Sequence, residues 1–288
     1  RIPVLIRFRT AKGEFRAKLS SAQYPTPQIV ETPTPIPVST PTPVKPVATP
    51  PPYVDNQPLS GDISFKLGET LVYRVTANGQ FIGEVTLAAN ERKLFSGTDS
   101  LKLSALVTKS EPGNNILNLN DGIVAQVNPD SLAPQFIELK FTGVLGEFNQ
   151  TAQFDQKSGT VTFAGRVSPD IPVGTHSLLS LAYAIRSFNL KPSRFSGSPV
   201  NDTRVAVFFD DRATVFTLRP SNPEVVTING RKVPAQMITI STGNSNFDRY
   251  NLKLWLSADE KRTPLKFAGG VYQAELISEK IATGRAEQ

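Results

Sequence analysis

The chain holds a single histidine, His176, directly ahead of Ser177 and four residues ahead of Ser180. A serine hydrolase would have to use that imidazole as its base, with a carboxylate holding the ring. The Gly-x-Ser-x-Gly turn that exposes such a nucleophile occurs nowhere in the sequence. The plainer reading of His176 is a polar residue at the start of a helix. Two carboxylate pairs are the other chemical candidates: Asp210-Asp211 in FFDDRATVF and Asp259-Glu260 in LSADEKRTPL. Paired acids hydrolyse glycosides when they flank a cleft. Both pairs also stand where two strands need a turn, and Asp suits turns because its carboxylate accepts from nearby backbone N–H groups. The turn reading is preferred, and no catalytic residue is assigned; a hydrolase using Asp210/Asp211 or Asp259/Glu260 stays as the alternative. The one tryptophan, Trp255 in Leu254-Trp255-Leu256, reads as a core or rim aromatic in a late strand, or as a ligand platform.

Other chemistries lack their residues. Cys is absent, which removes disulfides, thiol nucleophiles and thiolate zinc sites. One histidine completed by carboxylates makes a poor zinc set, so no metal is expected. Neither Gly-x-Gly-x-x-Gly nor a Gly-Lys-Ser/Thr phosphate loop occurs, and no cofactor is expected. The formal charge is +6, but residues 1–24 carry Arg1, Arg7, Arg9, Lys12, Arg16 and Lys18 against Glu14, a balance of +5. Residues 25–58 carry −1, which leaves residues 59–288 only +2. A nucleic-acid surface needs clustered Lys and Arg, and this domain shows no such cluster. The basic N-terminal segment offers peripheral contact with an anionic membrane, against the plainer reading of a solvated strand face.

Three segments organise the chain. Residues 1–24 contain a short basic hairpin, with IPVLIRFRT alternating at a strand's period, a turn at Ala11-Lys12-Gly13 and a return over Glu14 to Leu19. Residues 25–58 hold 12 of the 24 prolines and read as an extended, disordered spacer of proline and threonine. Residues 59–288 are β throughout. Asn78-Gly79 separates Leu71–Val75 from Phe81–Leu87, and Asn229-Gly230 marks a second tight hairpin. Leu101, Leu103, Ala105 and Val107 alternate with polar residues, giving one dry and one wet face. Further strands are expected at 116–127, 135–143, 147–155, 159–167, 204–209, 213–218, 223–228, 232–241, 251–257, 263–268 and 271–279. The expected fold is all-β: a large antiparallel curved sheet or barrel-like domain with one α-helix. That helix spans 176–188, with Thr175 as its N-cap and Leu178, Leu181, Ala182 and Ile185 as its apolar stripe. No run of the chain reaches the 18 apolar residues of a membrane helix. The chain opens on Arg1 without a leader, which leaves a removed export signal open.

The opening LGETLVYRVTANGQFIGEVTL (67–87), the helix HSLLSLAYAIRSFNL (176–190) and the ending LKLWLSADEKRTPLKF with YQAEL (252–276) resemble the bacterial domain-of-unknown-function family 3108. The resemblance spans residues 60–280. The family's usual form has Asp where this chain has His176. Membership implies an exported bacterial protein of the periplasm or cell envelope with a β-rich fold, and it implies no assigned activity. The functional expectation is a non-enzymatic envelope protein whose β domain binds an apolar ligand such as a lipid, a glycan or a protein partner.

Overall fold

The computed structural model describes residues 5–10, 13–18, 54–168, 171–194, 200–209 and 211–282. The chain divides into two units, 1–50 and 51–288. In the first, β1 (Leu5–Thr10) and β2 (Gly13–Lys18) pair antiparallel, with Phe8 opposite Phe15 and Arg9 opposite Glu14. This is the hairpin read from the alternation. The spacer reading of 25–58 falls outside the described residues up to 53. Its last residues belong to the packed unit instead. Val54 is buried, the Asn56 N–H donates to Arg92 O at 2.7 Å, and Arg92 Nη1 donates to Pro58 O at 2.6 Å. The contacts therefore begin ahead of Leu59.

The second unit is one sheet of 14 strands, every neighbouring pair antiparallel. In chain order the first arm contains β3 (Glu69–Ala77), β4 (Gln80–Phe95), β5 (Thr98–Ser110) and β6 (Gly122–Val127). It continues through β7 (Pro134–Lys140), β8 (Gln150–Asp155), β9 (Thr160–Phe163) and β10 (Arg166–Ser168). The helix α1 (Leu178–Ala184) follows. The second arm is β11 (Thr203–Phe209), β12 (Arg212–Ile228), β13 (Arg231–Ser241), the one-turn α2 (Ser245–Asp248), β14 (Lys253–Ser257), β15 (Pro264–Gly269) and β16 (Tyr272–Ile281). β16 pairs with β3 and joins the arms, so the two edges are β10 and β11, which follow one another in sequence. Only the 169–202 connection, carrying α1, runs between them.

The sheet curls until those edges approach. The Phe208 ring of β11 meets Phe154 of β8 at 5.4 Å and Phe163 of β9 at 5.6 Å, both edge to face. The connection stitches the gap. Ile171 N–H donates to Gly159 O at 2.9 Å, and His176 pairs with β11 through its N–H on Ala206 O and its C=O under Phe208 N–H. α1 lies inside the curl and divides its interior. Leu179, Tyr183 and Ala184 join Leu71, Leu101, Leu103 and Val127 on one side. Leu181 and Ile185 join Val207, Leu218, Ile238 and Leu254 on the other. A helix apolar all round is a buried helix.

Several expectations change in detail. The N-cap is Ser177, in a reciprocal capping box with Ser180; the Thr175 hydroxyl donates instead to Pro172 O. The helix is seven residues long, finished by a 3-10 turn at Ile185–Ser187, and of the expected stripe Leu178 is exposed and Ala182 half-buried. The interior surrounds the helix, so a single stripe is the wrong template. Segments 213–218 and 223–228 are one 17-residue strand, β12, carried past its prolines by a register shift between Pro220 and Pro223; a bulge tolerates the missing donor. Residues 116–121 are loop, and 159–167 splits into β9 and β10 around Ala164-Gly165, both at positive φ. The Asn78-Gly79 and Asn229-Gly230 turns take positive φ at both residues, as their hairpins require.

Candidate functional site

The carboxylate pairs do not meet. Because neighbouring strands are antiparallel, successive turns alternate between the two rims of the sheet. The β11–β12 turn stands on one rim and the β14–β15 turn on the other. Asp210 lies outside the described residues. Asp211 is exposed and pairs with its neighbour, Arg212 Nε to Asp211 Oδ1 at 3.0 Å. Asp259 accepts from Ser257 Oγ at 2.6 Å and from Arg262 N–H at 3.1 Å, which closes the β14–β15 turn, and Glu260 is exposed beside it. These are the turn roles that short acidic side chains suit.

His176 is buried, and burial pushes its pKa down to about 4, so the ring is neutral at pH 7. Its Nδ1 lies 3.2 Å from Ser180 Oγ, which also accepts from Ser177 N–H at 2.9 Å to cap α1. Among the described residues no carboxylate is hydrogen-bonded to the ring. The histidine and both serines are thus held in the helix start. Trp255 on β14 packs against the satellite cluster of Ile228, Ala235 and Leu265, with Lys266 Nζ 5.7 Å from its ring centre. It serves as a rim aromatic there.

Where α1 leaves space inside the curl, an apolar cleft of about 390 Å³ opens. Ile123 of β6, Ile137 and Leu139 of β7 and Phe163 of β9 form one wall. Phe208 and Phe209 of β11 and Leu178 and Leu179 of α1 form the other. A 3-10 turn at Gly143–Phe148 crosses the opening and contributes Leu145, Glu147 and Phe148. The connection between β5 and β6 holds that turn in place: Val144 N–H donates to Asn115 O at 3.2 Å, and Asp121 Oδ1 accepts from the Thr142 N–H at 2.9 Å. Glu147 is the one ionisable residue on the lining. A second, larger hollow of about 830 Å³ lies beneath residues 56–68, where Ser60, Lys66 and Asn90 share the wall with Leu59 and Phe65. The smaller cleft is the better candidate because its lining is mainly apolar, with Glu147, Asn149, Gln150 and Ser177 as its polar members, and it lies within the curl of the sheet.

Sequence reading also missed a buried ion pair. Arg186 and Glu69 are both sealed from solvent, bridged by Nη1–Oε1 at 2.5 Å and Nη2–Oε2 at 3.1 Å. Arg186 also donates through Nε and Nη2 to Lys261 O at 3.2 and 3.0 Å, and its guanidinium lies 5.2 Å from the Phe65 ring centre. It fastens the end of α1 to the first strand of the sheet. The signal was a lone Arg in the apolar run LAYAIRSF, but nothing local names its partner 117 residues away.

These features define an all-β protein whose long antiparallel sheet curls around one helix and keeps an apolar cleft beside it. The chain belongs to the family described as protein of unknown function (DUF3108), whose model matches residues 72–271. No curated protein matches the chain. Among solved structures, a beta-barrel-like protein of domain of unknown function DUF1849 from Brucella abortus is 10% identical, with a TM-score of 0.43 over 75% of this chain and 98% of that one.

Proposed function

We propose that the domain is a binding protein of the bacterial cell envelope, not an enzyme, and that the cleft holds an apolar ligand of the acyl-chain type. One observation carries this reading: the cleft wall is built mainly of Ile, Leu and Phe from four strands and the helix, with Glu147 as its one ionisable member and Asn149, Gln150 and Ser177 as its uncharged polar ones. Acid–base or nucleophilic chemistry needs a base and an orienting group within hydrogen-bond reach, and His176, Asp211, Asp259 and Glu260 all lie outside the lining. The volume falls within the roughly 300–1,000 Å³ usual for small-ligand sites. The envelope location rests on the export that family resemblance implies.

The test is titration of the full chain with a water-soluble fluorescent acyl probe. Saturable binding is expected, and Leu178→Trp or Leu139→Trp, which fill the cleft, should weaken it at least tenfold. Unsaturable binding, or affinity indifferent to both variants, overturns the assignment. Turnover of an ester, peptide or glycoside substrate that is lost in His176→Ala or Asp211→Asn would restore the hydrolase reading.

A further inference from the structure

The polar members of the cleft are gathered, not scattered. Glu147, Asn149 and Gln150 stand together where the Gly143–Phe148 turn passes into β8. The fourth, Ser177, is the N-cap of α1, and its Oγ accepts from Ser180 N–H at 3.1 Å. Asn149 is also committed. Its Oδ1 accepts from Phe141 N–H at 2.6 Å and its Nδ2 donates to Phe141 O at 2.9 Å, which clamps the base of the turn.

Glu147 and Gln150 are left. Neither side chain makes a hydrogen bond or an ion pair among the described residues. Gln150 is half-buried and shares the inward face of β8 with Ala152 and Phe154. Glu147 is exposed on the turn that crosses the opening. The groups free to meet a ligand are thus one carboxylate, which only accepts, and one amide, which accepts and donates.

Among the described residues no Lys, Arg or His lines the cleft to answer a second carboxylate. Lys140 is exposed and alternates with the lining residue Leu139 on β7, so it takes the outward face. Arg249 donates to Tyr250 Oη at 3.1 Å and Arg212 to Asp211 Oδ1 at 3.0 Å. Arg166 is exposed on the edge strand β10, opposite Phe163 and outside the lining.

We propose, resting on the acyl-ligand reading above, that the cleft selects its ligand by the head. The ligand is a single-chain amphiphile whose head donates hydrogen bonds and carries no negative charge. Its tail lies along the Ile, Leu and Phe walls and its head at residues 147–150. A hydroxyl or ammonium head donates to Glu147, and Gln150 serves a hydroxyl in either sense. A free fatty acid instead brings a second carboxylate to Glu147. Like charges repel more strongly at the edge of a low-dielectric cleft than in open water, and an unanswered charge is a means of rejecting the wrong ligand.

Isothermal titration calorimetry of the full chain with decanoate, monodecanoylglycerol and decylammonium, each below its micellar concentration, tests the proposal. The glycerol and ammonium heads should bind at least tenfold more tightly than decanoate. Glu147→Gln should strengthen decanoate at least fivefold, weaken decylammonium at least fivefold and change the glycerol ester less than twofold. A residue acting only through the shape of the turn would move all three together. Gln150→Leu should weaken the glycerol ester at least threefold, and Arg166→Gln should leave the ranking as it is. Equal affinity for the three heads in the native chain, decanoate binding that Glu147→Gln leaves unchanged, or decanoate binding that Arg166→Gln weakens overturns the selection by head and leaves the cleft reading standing. Binding of none of the three, or binding that Leu178→Trp does not weaken, overturns the cleft reading and this proposal with it.

Discussion

Replacing Arg186 with Met leaves Glu69 buried without its counter-charge and removes both donors from Lys261 O. Breaking one side of a buried pair typically costs about 3–5 kcal/mol; Lys261 is exposed, so its carbonyl can turn to water and adds little. A loss of about 3–5 kcal/mol is expected. Against a total stability on the order of 5–15 kcal/mol, that is a large share. Urea denaturation of native, Arg186→Met, Glu69→Gln and the double variant, followed by circular dichroism, closes the cycle. The double variant should recover part of the Arg186→Met loss, because it no longer buries a lone carboxylate. A single Arg186→Met variant within about 1 kcal/mol of native, with an unchanged denaturant slope, would refute the idea that this pair fastens α1 to the sheet.

The pKa of His176 is about 4 in the fold, below its ordinary 6.5, so the unfolded chain takes up the proton first. Stability should therefore fall as pH drops from 6.5 toward 4, by up to about 3 kcal/mol from this group; His176→Gln should flatten that part of the profile relative to native in parallel denaturations. Leu181→Ala, at a buried position in the second half of the core, should cost about 2–5 kcal/mol in the same assay. Gly122→Ala would bring a methyl to 2.1 Å from Ala105 O across the β5–β6 pair, so the strands must part; a melting temperature unchanged from native would show that the ladder yields at no cost.

Strands and hairpins were legible because their signals are local. The period of two in Leu101, Leu103 and Val107 predicts burial that the fold delivers, and Asn78-Gly79 and Asn229-Gly230 specify turns through their own backbone. Elements misread were those whose surroundings decide them. Pro220 and Pro223 read as a break between strands, yet the sheet carries β12 past them because a bulge absorbs the missing donors. The helix stripe failed for a related reason: a stripe presumes one interior side, and α1 has core on both. The turn at Asp259 was legible, since that residue needs only its neighbours Ser257 and Arg262 to close it, whereas Asp210 of the other pair lies outside the described residues. The cleft was not legible, because its wall is assembled from residues between Ile123 and Phe209 that meet only when the sheet closes.

That closure also accounts for where the cleft lies. A sheet of 14 strands has two edges, and unpaired edges invite aggregation. Here the edges are consecutive strands, so the chain between them can serve both. Residues 171–177 bond to the β8–β9 turn at Gly159 and to β11 at Ala206 and Phe208, and α1 then turns inward. A seven-residue helix cannot fill a curl built by strands of up to 17 residues. The shortfall falls at its N-terminal end, where Leu178 and Leu179 face Phe163 and Phe208 across open space. The Gly143–Phe148 turn crosses that space without sealing it; none of its residues is buried. An apolar hollow therefore follows from edge protection with a short helix. Its walls inherit the Ile, Leu and Phe of core-facing strand positions, alongside Glu147, Asn149, Gln150 and Ser177. A site formed in this way is the one to which the proposed apolar ligand is assigned.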